Sequence, residues 1–103
     1  MKYGVVLPIW RLSVPEAETM ALRAEALGFD AVFVPDHILA KPATTEHYGP
    51  SWPDPFSLLA FLAGRAPRIQ VGASVIVLPY RNPLVTAKAA ATVDQVHCCS
   101  WRG

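Results

Sequence analysis

Short apolar runs alternate along the chain with longer segments in which apolar residues recur at helical spacing. The predicted strands that contain these runs extend from Lys2 to Leu7, from Ala31 to Val34 and from Ile69 to Leu78. None of them alternates strictly between apolar and polar residues. Continuous runs of this length are typical of strands that are covered on both faces, as in parallel sheets. The pattern therefore predicts three parallel strands.

The first helical segment lies between the first two strands. Ser13 followed three residues later by Glu16 forms a capping-box pattern, and Pro15 suits the first turn of a helix. The helix is predicted to run to about Leu27 and to stop at Gly28, which can take a left-handed cap conformation. One face of this helix is apolar and carries Ala17, Met20, Ala24 and Leu27.

Two further helices follow the second and third strands. Asp54-Pro55 provides an N-cap and a first-turn proline for a helix from Phe56 to about Gly64. Asn82-Pro83 repeats this signal before a helix from Leu84 to about Val93. The predicted order is therefore β-α-β-α-β-α with right-handed crossovers, and the predicted fold class is α/β.

The connections favour one α/β architecture over another. About fifteen residues separate the second strand from the second helix, whereas the returns from helix to strand at 28–30 and 65–68 are short. An elaborated rim on one side is typical of a (β/α)8 TIM barrel, although such a barrel needs about 250 residues. An open doubly wound sheet is the alternative. We predict a partial TIM (β/α)8 barrel, with residues 1–95 forming the first three β-α units of the domain.

Composition excludes several classes of function. The 103 residues are 52% hydrophobic and carry a formal net charge of +1, without a basic stripe that would indicate nucleic-acid binding. No apolar run reaches the roughly 18 residues of a membrane span, and the N-terminal apolar run is too short for a signal peptide. We therefore expect a cytoplasmic protein with a small-molecule substrate, and neither nucleic acid nor membrane as partner.

The candidate chemistry begins with Asp36-His37, directly after the second strand. The carboxyl ends of the strands are where strand-helix barrels carry their active sites, and an imidazole titrates near neutral pH. The alternative is a strand-end cap, with Asp36 accepting backbone hydrogen bonds and His37 exposed.

Other side chains are weaker candidates. Trp10 and Trp52 could cover the rim or pack beneath loops, and His47 and Tyr48 could line a substrate entrance or be solvated. The cluster His97-Cys98-Cys99 lacks the spacing of a zinc site, so no metal is expected.

Five segments of the sequence, in this order and spacing, resemble the bacterial luciferase-like oxidoreductases that use flavin or the deazaflavin coenzyme F420. The likeness is closest to the deazaflavin branch and extends over about residues 2–95. The segments are Ala24-Glu25-Ala26-Leu27-Gly28-Phe29-Asp30, Pro35-Asp36-His37, Val71-Gly72-Ala73-Ser74-Val75, Leu78-Pro79-Tyr80-Arg81-Asn82-Pro83 and Ala87-Lys88-Ala89-Ala90-Ala91-Thr92-Val93-Asp94-Gln95.

The resemblance implies a TIM-like barrel with its cofactor at the carboxyl rim and hydride transfer to coenzyme F420. His37 would be the catalytic acid-base residue, and Asp36 would help to bind the cofactor. Ser74-Val75 would be a cis peptide in a bulge against the cofactor ring, the alternative being an ordinary trans step. Residues 80–83 are interpreted as a helix start. Within the class, the alternative is an FMN-dependent monooxygenase that uses molecular oxygen.

The chain departs from the family after Gln95, where a Leu-Ser-Gly-Gly-Arg turn and a fourth strand would normally follow. Residues 96–103 are instead an atypical tail, which we interpret as a truncated or frame-shifted reading of a longer gene. Three of eight units leave apolar sheet edges unpaired, so the chain is expected to self-associate or form a homo-oligomer through such an edge. A non-catalytic truncated fragment is the remaining alternative.

Overall fold

The computed structural model describes residues 1–37, 42, 46 and 52–102, the last five by their backbone only. The continuous parts of these ranges form a three-stranded parallel sheet and three α-helices, and residues 42 and 46 are also helical. The elements follow each other as β1 (Gly4–Val6), α1 (Val14–Ala26), β2 (Ala31–Val34), α2 (Pro55–Arg65), β3 (Gln70–Ala73), a 3-10 turn (Leu78–Tyr80) and α3 (Pro83–Arg102). Strands and helices alternate among these elements, which confirms the predicted α/β class.

The strands lie side by side in chain order, β1-β2-β3, and both pairs are parallel. In the register, Val5 is paired with Val32, and Val32 with Val71. Parallel neighbours need a crossover between them, and α1 and α2 supply those crossovers. The carboxyl ends of the three strands consequently meet at one edge of the sheet.

The caps of α1 form as the sequence predicted. The backbone N–H of Glu16 donates to the Ser13 hydroxyl at 3.2 Å, and the N–H of Ser13 donates to the Glu16 carboxylate at 3.0 Å. These reciprocal bonds satisfy two backbone donors that the first turn leaves unpaired. At the other end Gly28 has φ +89°, a conformation in which a side chain would be strained.

Side-chain caps also start the other two helices. The N–H of Ser57 donates to the Asp54 carboxylate at 2.9 Å, which begins α2. Asn82 Oδ1 accepts from the N–H of Leu84 at 2.9 Å, which begins α3. Both cap positions were predicted from an Asx-Pro pair.

Two predicted boundaries were wrong. The third strand ends at Ala73 rather than Leu78, because β2 ends opposite it at Val34 and offers no further ladder partner. A 3-10 turn over Leu78–Tyr80 follows instead. The last helix continues to Arg102 rather than ending near Val93. No glycine or proline occurs between residues 84 and 102 to stop it.

The hydrophobic core lies on one face of the sheet. Val32 and Val34 are fully buried there and pack with Leu62 of α2 and with Ile69. Because side chains alternate along a strand, Phe33 projects from the opposite face. A Cβ atom added to Gly4 would lie 2.5 Å from the Phe33 ring, and one added to Gly72 would lie 3.0 Å from it. The two glycines therefore make room for the ring on both neighbouring strands.

Candidate functional site

Asp36 lies two residues beyond β2, at the carboxyl edge of the sheet, and is buried with 4% of its surface exposed. Its Oδ2 accepts hydrogen bonds from the N–H of Val77 at 2.9 Å and from Arg81 Nε at 3.2 Å. Its Oδ1 accepts from Arg81 Nη2 at 2.8 Å. Two parallel bonds from one guanidinium are the strongest geometry for such a pair. Asp36 thus joins the end of β2 to the segment that follows β3.

Arg81 extends this connection to the start of α2. Its Nη1 lies 3.6 Å from Asp54 Oδ1, and its guanidinium carbon lies 5.3 Å from the centroid of the Phe56 ring. The hydrogen bond with Asp36 raises the pKa of Arg81 although burial lowers it. One guanidinium therefore holds the two carboxylates of separate segments and rests on an aromatic face.

Asp54 is more exposed than Asp36 and has a second role as the N-cap of α2. Burial raises the pKa of Asp54, but the hydrogen bonds from Ser57 and the charge of Arg81 outweigh this, so the pKa lies below its ordinary value of 3.8. Hydrogen bonds and a nearby cation both favour the ionised carboxylate. Asp54 is therefore an anion at neutral pH, at the mouth of the site.

His37 lies beside the indole ring of Trp52, and Trp52 in turn lies beside Trp10. The ring centroids of His37 and Trp52 are 4.3 Å apart at an interplanar angle of 57°, and those of Trp52 and Trp10 are 5.5 Å apart. Trp10 follows β1, His37 follows β2 and Trp52 precedes α2, so one aromatic group spans the loops at this edge. A cavity of about 180 Å³ adjoins it, lined by Asp36, His37, Trp52, Asp54, Pro55 and Arg81.

The peptide bond between Ser74 and Val75 is cis, as the resemblance implied. Ser74 donates its N–H to the carbonyl of Val34 at 2.9 Å, which keeps this step against the end of β2. Val75 is exposed to solvent over 70% of its surface. The hydrogen bonds of Asp36 go to Val77 and Arg81 rather than to these two residues. The predicted residues thus share one edge of the sheet without forming one hydrogen-bonded cluster.

Sequence reasoning missed the role of Arg81. The segment 80–83 was interpreted as a helix start, which Asn82 confirms through its cap, but Arg81 also pairs with a residue 45 positions earlier. A basic residue in the segment that follows the third strand, at the same edge as Asp36, is the signal that could have indicated an ion pair. Of the two tryptophans considered as rim residues, Trp52 lies beside His37 and Trp10 lies beside Trp52. His47 and Tyr48 fall outside the described residues.

Neither a metal centre nor a membrane span is found in the part of the chain that the structure describes. That part contains no group of three or more His, Cys, Asp or Glu side chains able to hold a metal ion. The side chains of Cys98 and Cys99 lie outside it. Within the same ranges, every helix is too short or too polar to cross a bilayer.

The chain belongs to the luciferase-like monooxygenase family, a family of enzymes, whose model matches residues 1–97. This match covers all three strands, Asp36, His37 and Arg81. It agrees with the resemblance that five sequence segments had indicated.

Among its relatives, the chain is 39% identical over 75 residues to an F420-dependent glucose-6-phosphate dehydrogenase of Amycolatopsis mediterranei, covering 72% of this chain and 21% of that protein. It is 36% identical over 98 residues to a protein named as a coenzyme F420-dependent oxidoreductase of Mycobacterium tuberculosis, covering 93% of this chain and 24% of that one. The chain therefore spans about a quarter of the length of these relatives.

Proposed function

We propose that this chain forms the cofactor-facing first part of an F420-dependent oxidoreductase that transfers hydride between a small-molecule substrate and the deazaflavin. In this proposal residues 1–95 are the first three units of a TIM (β/α)8 barrel, and their carboxyl edge is the site. The position of His37, three residues beyond the end of β2 and against the indole of Trp52, carries the proposal. The names of the relatives support coenzyme F420 as the cofactor.

The side chains at this edge suit a flat, largely apolar ring system. The rings of Trp10 and Trp52 and the exposed side chain of Val75 provide apolar surface, and ligand sites are lined mainly by such groups. The cavity of about 180 Å³ is small for a whole cofactor, so it would hold one part of it. Ser74 and Val75 would lie against the ring, and Asp36 would help to bind it by holding the segment that carries them.

His37 is the residue proposed to move a proton. A neutral imidazole has one ring nitrogen that can accept a proton and one N–H that can donate, which suits acid-base work near pH 7. The contact with Trp52 would hold the imidazole in one orientation, so that the reacting nitrogen keeps a fixed direction. Bound F420 would supply the hydride acceptor, which no protein side chain provides.

An FMN-dependent monooxygenase is the second candidate. The description of the matching family model as a luciferase-like monooxygenase favours it. The same rim would then seat FMN, and His37 would handle protons in a reaction that consumes oxygen. The two candidates differ in cofactor and oxidant, so one set of binding and turnover measurements separates them.

A non-catalytic fragment is the third candidate, and the share of the relatives that the chain spans, 21% to 24%, favours it. A site built from only this part would enclose a cofactor incompletely. We therefore expect the 103-residue chain to bind F420 more weakly than about 10 μM, which corresponds to about 7 kcal/mol.

The test is a titration of the chain with F420 and with FMN, followed by tryptophan fluorescence. We expect saturable quenching by F420 at lower concentration than by FMN, because the cofactor would lie beside Trp52 and Trp10. Loss of the oxidised F420 absorbance on adding glucose 6-phosphate, the substrate named for the Amycolatopsis relative, would report hydride transfer. Preference for FMN with oxygen consumption would favour the monooxygenase.

Two histidine variants make the titration specific. His37→Ala should weaken F420 binding or abolish turnover, because the imidazole lies at the proposed site. His97→Ala is the matched control, since His97 Nε2 lies 2.8 Å from the carbonyl of Ile69, at the opposite end of β3. Equal behaviour of the two variants would contradict the proposed role of His37.

A further inference from the structure

The carboxylate of Asp36 is already occupied by the protein itself. Three N–H donors reach it, one from Val77 and two from Arg81, and its side chain has no exposed surface. A carboxylate offers about four acceptor directions in total. Little of this capacity is left for a cofactor hydroxyl or amide, so a direct contact would require part of the present set of bonds to break.

Arg81 is the donor that fixes this arrangement. Its side chain is 14% exposed and makes the paired contact with Asp36, while Asp54 and the ring of Phe56 flank it. Charge-assisted bonds between partly buried groups resist solvent competition better than bonds at an exposed surface. Through Asp36, Arg81 holds the end of β2 and the segment after β3 at a fixed distance.

The segment that this contact holds contains Ser74 and Val75. A backbone bond from the Ser74 N–H to the carbonyl of Val34 also attaches it to the sheet. Within the segment, the N–H groups of Leu78, Tyr80 and Arg81 donate to the carbonyls of Ile76, Val77 and Leu78 in turn. Val77, in the middle of the segment, donates its N–H to the buried carboxylate of Asp36. Asp36 therefore fastens residues 74–82 to the end of β2 at two points, Val77 and Arg81.

We propose that Arg81 is a positioning residue of this site, which holds Asp36 and the segment 74–82 in one arrangement and makes Asp36 an anchor of that segment. The relevance to cofactor binding rests on the proposed function. The contact itself does not, because it is formed by the chain alone. Arg81 acts through Asp36 and Val77, and its removal should disturb the rim without touching α1 or the core.

Amide hydrogen exchange measured by mass spectrometry tests this proposal on the full chain. In Arg81→Ala, a peptide covering residues 74–82 should exchange faster by about tenfold or more, the factor that 1.4 kcal/mol of local opening free energy produces. Arg81→Lys keeps the charge but loses the paired geometry, so it should restore part of the protection. A peptide from α1 should keep the parent rate in both variants.

Arg65→Ala is the matched control. Arg65 also donates to a carboxylate, Glu18, at 2.7 Å, but 60% of its side chain is exposed and it lies away from the rim. Its removal should leave exchange in residues 74–82 unchanged. If Arg81→Ala also exposes the α1 peptide, the chain has unfolded, and Arg81→Lys decides: it must speed exchange in residues 74–82 alone.

Parent-like exchange of residues 74–82 in Arg81→Ala, with α1 protected, would overturn the proposal. The F420 titration then gives the functional consequence: Arg81→Ala should weaken binding by about tenfold, 1.4 kcal/mol, and Arg81→Lys should recover part of it. If the parent binds neither F420 nor FMN, the proposed function fails, whereas the exchange result still decides the role of Arg81.

Discussion

The imidazole of His37 and the indole of Trp52 are in direct contact, with ring centroids 4.3 Å apart. Aromatic pairs in such tilted arrangements contribute about 0.5–1.5 kcal/mol beyond the area they bury. His37→Ala and Trp52→Ala should therefore be non-additive, with a coupling energy of about 0.5–1 kcal/mol in urea unfolding at fixed protein concentration.

A double-mutant cycle of His97→Ala with Trp52→Ala is the control, because His97 contacts the start of β3 rather than Trp52. The coupling energy between His97→Ala and Trp52→Ala should stay within about 0.5 kcal/mol of zero. Full additivity of His37→Ala with Trp52→Ala would show that the contact does not stabilise the fold.

Gly4→Ala should destabilise the chain. The added Cβ would lie 2.5 Å from the Phe33 ring, so the ring or the strand must move, and overpacking of this kind costs about 1–3 kcal/mol. In a Phe33→Leu background, Gly4→Ala should destabilise the chain less, because the smaller leucine side chain leaves space for the added Cβ. Urea midpoints of the two single variants and the double variant measure this.

Gly64→Ala is the contrasting variant. Its added Cβ would meet Val96 at 3.7 Å, an ordinary contact, and alanine favours a helix over glycine by about 0.5–1 kcal/mol. The midpoint should rise or stay level. A midpoint that falls as far as in Gly4→Ala would mean that the clash with Phe33 is not the cause.

Stability should fall in acid partly through Asp54. Its folded pKa lies below the ordinary 3.8, so its carboxylate stabilises the fold above the unfolded pKa, and this contribution is lost as pH falls through the lowered value. Since half of the side chain is exposed, the contribution should be below about 1 kcal/mol.

Asp54→Asn isolates this effect, because an asparagine can still cap α2 while it carries no charge. The difference in urea midpoint between parent and variant should be present near pH 6 and shrink below about pH 4. If the difference in urea midpoint grew as the pH fell, the ionised carboxylate of Asp54 would not be stabilising the fold.

The chain should self-associate through the open edge of β1. β1 has one partner strand in the described sheet, and Val6 is 50% exposed. A lysine on an edge strand opposes pairing with another chain. Val6→Lys should therefore lower the average mass measured by light scattering, whereas Leu22→Lys, the same change on an exposed position of α1, should not. Equal masses for both variants would exclude this edge.

Local signals explain what could be predicted from the sequence. The cap at Ser13, the stop at Gly28 and the helix starts at Asp54 and Asn82 depend on residues within one turn, so short patterns sufficed. The end of β3 could not be predicted in this way, because its ladder stops where β2 stops, and that length belongs to another segment.

In the candidate site, too, residues with local signals could be predicted and a long-range pairing could not. His37 and the cis step at Ser74 followed from a strand end and a family resemblance. The pairing of Arg81 with Asp36 joins residues 45 positions apart, and only the parallel register brings them together. Residues 80–83 include a basic side chain but do not indicate which acid it pairs with, and their role as a helix start drew attention away from it.

The order of the strands has a consequence for synthesis on the ribosome. β1, β2 and β3 are neighbours in the sheet in the same order as along the chain. Each new strand can therefore pair with a strand that has already been synthesised. Assembly can then advance one strand-helix unit at a time from the N-terminus. Arg81 emerges after Asp36 and Asp54, so the guanidinium closes the rim as the third unit docks.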